Sequence, residues 1–279
     1  MRLKPFLMLK TVRLYLGCAK LFAFIAVKEI LIDKYMLIID LLLATSIPFI
    51  TQYIIWHYIY AGNAEESVSG YNFQQLMFYF AISIAFWRLN NSYSVIEYFA
   101  RNIQAGELEP RLLWPIPIPV QRFWDFLGGA IIYAWPIIII VAVCFFLFEV
   151  ETISPFYWFW TIIYIIETQI LCYLIGLFMA LSTFKFVRPD FLLALLSALQ
   201  GILGGTMLPP SFWPETIAPI MFYNPFRFII AAPAELIIDP NIGNLISYCL
   251  QLNLYMFVFI VLCAIYWKVV MTKYETAGG

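Results

Sequence analysis

Charge is what this sequence has least of: 12% of its 279 residues are Asp, Glu, Lys or Arg, and 63% are hydrophobic. A soluble globular domain carries about a quarter charged residues, so a water-soluble fold is excluded as the starting point. Histidine is scarcer still. His57 is the single one, which removes His-x-x-x-His metal sites and leaves serine-based hydrolysis without a base unless His57 itself served. We expect His57 in the outer headgroup zone, outside any site. No Gly-x-x-x-x-Gly-Lys-[Ser/Thr] loop occurs, so this chain cannot cradle nucleotide phosphates by the P-loop route. No close pair of aspartates offers a magnesium site. No catalytic residue and no metal ligand is therefore expected, and an enzyme is disfavoured.

Cys18, Cys144, Cys172, Cys249 and Cys263 do not pair up within a hydrophilic loop, and four of them sit in apolar runs; no disulfide is expected. Residues 1–34 lack a compact apolar core followed by a small-residue cleavage site, so they do not read as a signal peptide and the N-terminus is expected to be retained. The net charge of −1 says nothing by itself about nucleic acid or an acidic partner, and no nucleic-acid partner is expected. Information must lie in where the charges sit.

What is abundant is long apolar sequence. Runs extend over Tyr35 to Ile59, Phe73 to Val95, Phe126 to Phe148, Tyr157 to Thr183, Phe191 to Met207 and Leu245 to Val270. Crossing ~30 Å of hydrocarbon takes about 20 mostly apolar residues as a helix. Backbone groups in lipid must be satisfied within the segment, and these runs are continuous rather than alternating, so barrel strands are excluded. The expected fold is an all-α membrane protein with six transmembrane helices over 35–270.

Basic residues cluster between alternate runs. Residues 1–34 hold Arg2, Lys4, Lys10, Arg13, Lys20, Lys28 and Lys34; 96–125 hold Arg101, Arg111 and Arg122; 184–190 hold Lys185 and Arg188; the end of the chain holds Lys268 and Lys273. The intervening segments carry Glu65, Glu66, Glu149, Glu151, Glu215, Glu235 and Asp239, with Arg227 as their lone cation. By the positive-inside tendency both termini are cytoplasmic, including the tail 271–279. An even number of spans agrees.

Lys10, Arg13, Lys20 and Lys28 fall within a stripe roughly 80° wide on a helix, so 1–34 reads as an N-terminal amphipathic interfacial helix on anionic membrane lipids; the alternative is a plain lead-in to the first span. Residues 101–119 are charged and then carry Pro110, Pro115, Pro117 and Pro119. A short helix must end there in an extended, stiff segment. That segment suits force transmission, and it equally suits a loop that merely returns the chain to the membrane. Residues 207–244 are too long for a hairpin, too apolar for a solvated loop, and interrupted by prolines. Re-entrant or interfacial helices between spans five and six are the expected solution, lining or plugging a central pathway.

Glu167 lies ten residues into the fourth run, about 15 Å deep at 1.5 Å per residue, where an ionised side chain costs roughly 3 kcal/mol. With Thr168 and Gln169 it forms a candidate polar patch, either a neutral acid bonded to a neighbouring helix or a pathway group. Asp40 and Arg88 can reach the interface or pair with each other. Gly128-Gly129 and Gly204-Gly205 read as close-packing points between helices, and Trp158, Trp160, Phe212 and Trp213 as an interfacial belt.

The loop Gly106-Glu-Leu-Glu-Pro-Arg-Leu-Leu-Trp-Pro115, the spacing of Ile103, Gly106, Leu108, Leu112 and Pro115, the Gly-rich run Gly201 to Pro214 and the following Asn224-Pro225-Phe226 together resemble the permease subunits of ABC-2 type exporters over nearly the whole chain. The resemblance implies two such permeases, identical or paralogous, above two cytoplasmic ABC ATPase subunits that bind ATP and Mg, with no cofactor in this chain, in the inner (plasma) membrane. It implies ATPase coupling through Arg101, Gly106, Glu107, Leu108, Glu109 and Arg111, and a translocation pathway near Glu167, Thr168, Gln169, Pro225 and Phe226. A channel or secondary transporter independent of any ATPase, or a structural assembly subunit, is the competing reading. Internal repeats or several intramembrane charges would favour the channel or secondary transporter, and neither is evident.

Overall fold

A computed structural model of the chain describes residues 5–60, 67–147, 154–185 and 189–272. Arg2, Lys4, Glu65, Glu66, Glu149, Glu151, Arg188, Lys273 and the rest of the tail lie outside the described residues, as do the side chains of Lys10 and Arg13. Among those described, the fold is helical throughout. The helices are α1 (Pro5–Ile32), α2 (Lys34–Tyr60), α3 (Phe73–Leu89), α4 (Ser92–Gln104), α5 (Leu108–Leu112), α6 (Ile118–Leu147), α7 (Pro155–Ala180), α8 (Asp190–Leu203), α9 (Ala218–Phe222), α10 (Pro225–Ile229), α11 (Ala231–Ile238) and α12 (Ile242–Met271). A single antiparallel bridge joins Val68 and Tyr71.

Four of these segments are long and apolar enough to cross a membrane: α2, α6 over Ile118–Val143, α7 continued through a 3-10 turn to Phe184, and α12. The other two expected spans are shorter helices. α3 has 17 residues, about 26 Å of helix, and α8 has 14, about 21 Å.

The second apolar run, expected as one helix over Phe73 to Val95, is two. The break falls at Asn90 and Asn91, whose side chains compete with the helical ladder for hydrogen bonds. The Ser92 hydroxyl lies 2.5 Å from Asn90 Oδ1 and 3.1 Å from the Cys172 carbonyl, and the Cys172 thiol also bonds Asn90 Oδ1. The break is thereby locked onto α7, where Gly176 lets Ser92 approach: a Cβ there would lie 3.0 Å from the Ser92 carbonyl oxygen. Hydropathy averages over such a junction and cannot see it.

Lipid is as apolar as the side chains, so helices associate through close packing rather than water exclusion. α1 packs along α6 through a small-residue seam in which Ala19 and Ala26 are buried. A Cβ on Gly128 would stand 2.4 Å from the Ala23 carbonyl oxygen, so only glycine admits this approach. The second glycine pair packs likewise, the Tyr79 hydroxyl donating to the Gly205 carbonyl at 2.9 Å. Two cores result. Phe99, Tyr164, Leu171 and Phe228 centre one between α4, α7, α10 and α12. Trp56, Phe80, Phe86 and Ala231 centre the other between α2, α3 and α11. Outward faces of α2 and α12 present Leu42, Ile54, Leu250 and Phe257, all more than half exposed, as a hydrocarbon-facing surface requires.

Asp40 and Arg88 pair directly, α2 to α3, and Arg88 also lies over the Tyr133 ring at 5.6 Å. His57 is exposed and stacked on Tyr53 at 5.6 Å. Phe212 meets Trp56 edge-on at 5.2 Å. Cys18, Cys172, Cys249 and Cys263 are free thiols.

Candidate coupling cleft and translocation residues

The segment 101–119 folds back beneath α4. Gly106 takes φ +67, a left-handed conformation open to glycine at little cost, and this reverses the chain between α4 and α5. The turn is fixed by Gly106 N donating to Ile103 O at 3.2 Å and Glu107 N to Asn102 O at 2.9 Å. Leu108 is fully buried in the core around Phe99 and pins α5 down. The expected extended segment is not found: Pro110 lies within α5, and outside helix the segment has only 105–107 and 113–117, of which 113–116 form a turn and bends. Pro119 sits in the first turn of α6, where a missing N–H costs nothing, so α6 begins two turns ahead of the apolar run.

Tyr98 organises the charges above this turn. Arg111 Nη1 donates to its hydroxyl at 2.7 Å, and the guanidinium groups of Arg111 and Arg122 lie 5.2 and 4.8 Å from its ring centre. Burial pushes the Tyr98 phenol pKa up, partly offset by those two arginines. Arg122 is further held by the Ser94 carbonyl at 2.9 Å and by Asp125 at 3.7 Å. Together α1, α4, α5 and α6 enclose a cleft of about 750 Å³ whose wall includes Glu29, Glu97, Arg101, Glu107, Arg111 and Trp114. Trp114 stacks on Phe22 of α1 at 6.4 Å. Of the expected coupling residues, Arg101, Glu107 and Arg111 line this cleft, Gly106 and Leu108 shape it, and Glu109 is outside its lining. Glu29 was not legible as a member, because it arrives on α1 through the packing of that helix on α6.

Of the expected pathway residues, Thr168 and Gln169 meet, Gln169 Nε2 donating to the Thr168 hydroxyl at 3.3 Å, while Glu167 faces another way. Glu167 is half-buried on α7, where Asn253 of α12 donates to Glu167 Oε2 at 3.3 Å. Thr168 and Gln169 are buried and turned inward; the Thr168 hydroxyl donates to Ile165 O at 2.7 Å. Three consecutive helical residues point about 100° apart, so adjacency in sequence does not make one patch of all three. Pro225 opens α10, and Phe226 is buried in the core.

A charged knot lies next to Phe226. Arg227 is 4% exposed; its Nη2 donates to Glu235 Oε2 at 2.6 Å and meets the Tyr248 hydroxyl at 2.8 Å, while Tyr248 donates to the same carboxylate at 2.7 Å. Arg227 Nη1 donates to Phe222 O at 3.2 Å. Asn224 Oδ1 caps the helix by accepting from Arg227 N at 3.0 Å. Burial alone would lower the Arg227 pKa, but Glu235 and Tyr248 outweigh it and hold it above the usual value. A cavity of about 500 Å³ opens beside Arg227, between α9 and α12. The lone cation of 208–244, eight residues before Glu235, was the available sequence signal.

No curated protein matches the chain significantly. The family model described as "ABC-2 family transporter protein" matches residues 20–278, which takes in both the cleft and the knot. Given that match and its apolar helices, this multi-pass membrane protein belongs to the ABC-2 transporter family, as a permease component rather than the ATPase.

Proposed function

We propose that the chain is one of two permeases, identical or paralogous, of an ATP-driven exporter in the inner (plasma) membrane, coupled to cytoplasmic ATPases that hold the ATP and Mg. The observation that carries this is the charged cleft built on the α4–α5 turn, which Leu108 ties rigidly to the core around α4 and α7. A push on α5 would therefore move α4 and, through the Ser92–Cys172 contact, α7.

The chain crosses the membrane six times in this reading: α2, α3 with the start of α4, α6, α7, α8 with the glycine turn after it, and α12. α9, α10 and α11 are the re-entrant or interfacial elements at the outer end. Lys20 and Lys28 are exposed on α1 beside exposed Leu21 and Phe24, which supports an interfacial helix on anionic lipid. Both termini are cytoplasmic.

Two measurements test this. A cysteine replacing Arg111 should resist an impermeant thiol reagent in intact cells, and one replacing Glu215 should react. Affinity-tagged chain should retain a P-loop ATPase, identified by its peptides and by ATP hydrolysis. Reversing Glu107, Glu109 and Arg111 together should abolish that retention and transport. Outside labelling at 111, or intact coupling after the triple reversal, overturns the reading.

A further inference from the structure

Of the three cations lining the cytoplasmic cleft two are committed, while Arg101 is exposed and has no ion-pair partner among the described residues. Arg111 and Arg122 are held on Tyr98, Ser94 and Asp125. Glu29, Glu97 and Glu107 are exposed to the cleft and have no ion-pair partner among the described residues. Exposed carboxylates alone would mean only a solvated rim. A second observation differs in kind: Asn102 lines the same cleft, is 6% exposed, and its Oδ1 has no hydrogen-bond partner, while its Nδ2 donates to Tyr98 O at 2.7 Å. A buried acceptor without a donor carries a desolvation penalty that native structures seldom leave uncompensated.

The uncommitted groups are thus three carboxylates and one amide oxygen against Arg101 and the partnerless Arg122 Nε, and the complement of that excess of acceptors is a donor-only cation. Lys offers three N–H donors and Arg five, with no acceptor on either. Phe22, Ile25 and Trp114 add apolar wall, suited to the methylene stem such a side chain carries. The cleft, at about 750 Å³, exceeds one side chain, so the stem enters on a segment of protein.

We propose that the cleft between α1, α4, α5 and α6 receives a Lys or Arg side chain from the cytoplasmic ATPase, held by Glu29, Glu97, Glu107 and the Asn102 carbonyl oxygen. This rests on the coupling reading above and adds a polarity to it: the permease supplies the anions and the ATPase the cation. It also makes α1 part of the docking site, because Glu29 comes from that helix.

The test is made on the full chain co-expressed with its ATPase in native membranes. Glu29→Gln, Glu97→Gln and Glu107→Gln combined preserve shape and remove charge; monodisperse elution and unchanged thermal unfolding of the detergent-solubilised variant certify its fold. The retained ATPase should fall at least tenfold, and its retention by the parental chain should weaken as salt is raised. Zero-length carbodiimide coupling followed by peptide mapping should join Glu97 or Glu107 to an ATPase lysine, or, where the partner is arginine, substituting that arginine by Glu should reproduce the loss. Failure of the parental chain to retain any ATPase would sink the coupling reading itself. Retention within twofold in the triple variant leaves coupling intact and overturns the cation. So does spermidine raising the unfolding temperature of parental chain but not of the variant while ATPase retention is unchanged, since the occupant is then a free polyamine.

Discussion

The knot around Arg227 and the cleft around Tyr98 use the same chemistry to opposite ends. Around Arg227 a guanidinium, a carboxylate and a phenol satisfy one another, with side chains 5% and 17% exposed for Arg227 and Glu235. Around Tyr98 the arginines are anchored, yet three carboxylates face open space. A largely closed set of charges serves to hold α10, α11 and α12 together, although the buried Arg227 Nε has no hydrogen-bond partner. An open set contributes little to the fold and is available to another protein.

The largest effect expected is therefore on stability, at the knot. Arg227→Met removes the cation and leaves Glu235 with Tyr248 alone; breaking a buried pair from one side costs about 3 to 5 kcal/mol. Chemical unfolding in detergent should show a loss of that order, with much of it restored by combining Arg227→Met with Glu235→Leu. A loss below ~1 kcal/mol would mean the knot does not hold the outer helices, and the contrast with the cleft would collapse.

Next comes the seam that brings α1 to the cleft. Gly128→Val places atoms where the Ala23 carbonyl oxygen already stands, 2.4 Å from the new Cβ, and overpacking of this kind costs about 1 to 3 kcal/mol. We expect α1 to become open to protease while α2 through α12 stay folded, and ATPase retention to drop with it. At Gly129 a Cβ meets Ile30 Cδ1 at 3.4 Å and Asn91 Nδ2 at 3.8 Å, both ordinary contact distances, so Gly129→Ala should be nearly silent. Equal effects at the two positions would refute the seam.

Smaller again is the effect on folding of reversing Glu107, Glu109 and Arg111. Exposed ion pairs are worth about 0 to 1 kcal/mol, and only Arg111 has a described side-chain bond to lose. The unfolding free energy should move by no more than ~1 kcal/mol even as coupling disappears. A large destabilisation would make the cleft another closed set.

How far the sequence reveals this division depends on whether a feature is local. The Asp40–Arg88 pair and the packing role of Gly128 follow from side-chain type and depth alone, and the structure has both. Leu108 was legible as part of a motif, and its burial explains why. The break at Asn90 was not, because two polar residues barely lower the mean hydropathy of the surrounding run, and their partner Cys172 is 82 residues away. The cleft was half legible. Its loop carries the charges in one stretch, but Glu29 arrives through the packing of α1 on α6, which no spacing within 1–34 encodes. Arg227 stood out as an unexplained cation, and only folding brings it to Tyr248.

The smallest effect expected is at Glu167. Its one described side-chain bond is the 3.3 Å contact from Asn253, at the long side of hydrogen-bond range, and the residue is half-buried on the seam between α7 and α12 rather than enclosed. It belongs to neither class above: it has a partner, unlike the cleft carboxylates, but nothing like the three-way satisfaction of the knot. Glu167→Gln keeps an amide oxygen for Asn253 and removes the possibility of charge. If the role is to bridge two helices, stability should change by about 0.5 to 1 kcal/mol at most, and Glu167→Leu should do more harm than Gln because Asn253 then loses this acceptor. Transport in reconstituted vesicles separates this from a pathway role. Parental rates from Glu167→Gln across the pH range assign the residue to the seam, whereas a rate that loses its pH dependence while stability is unchanged assigns it to the pathway.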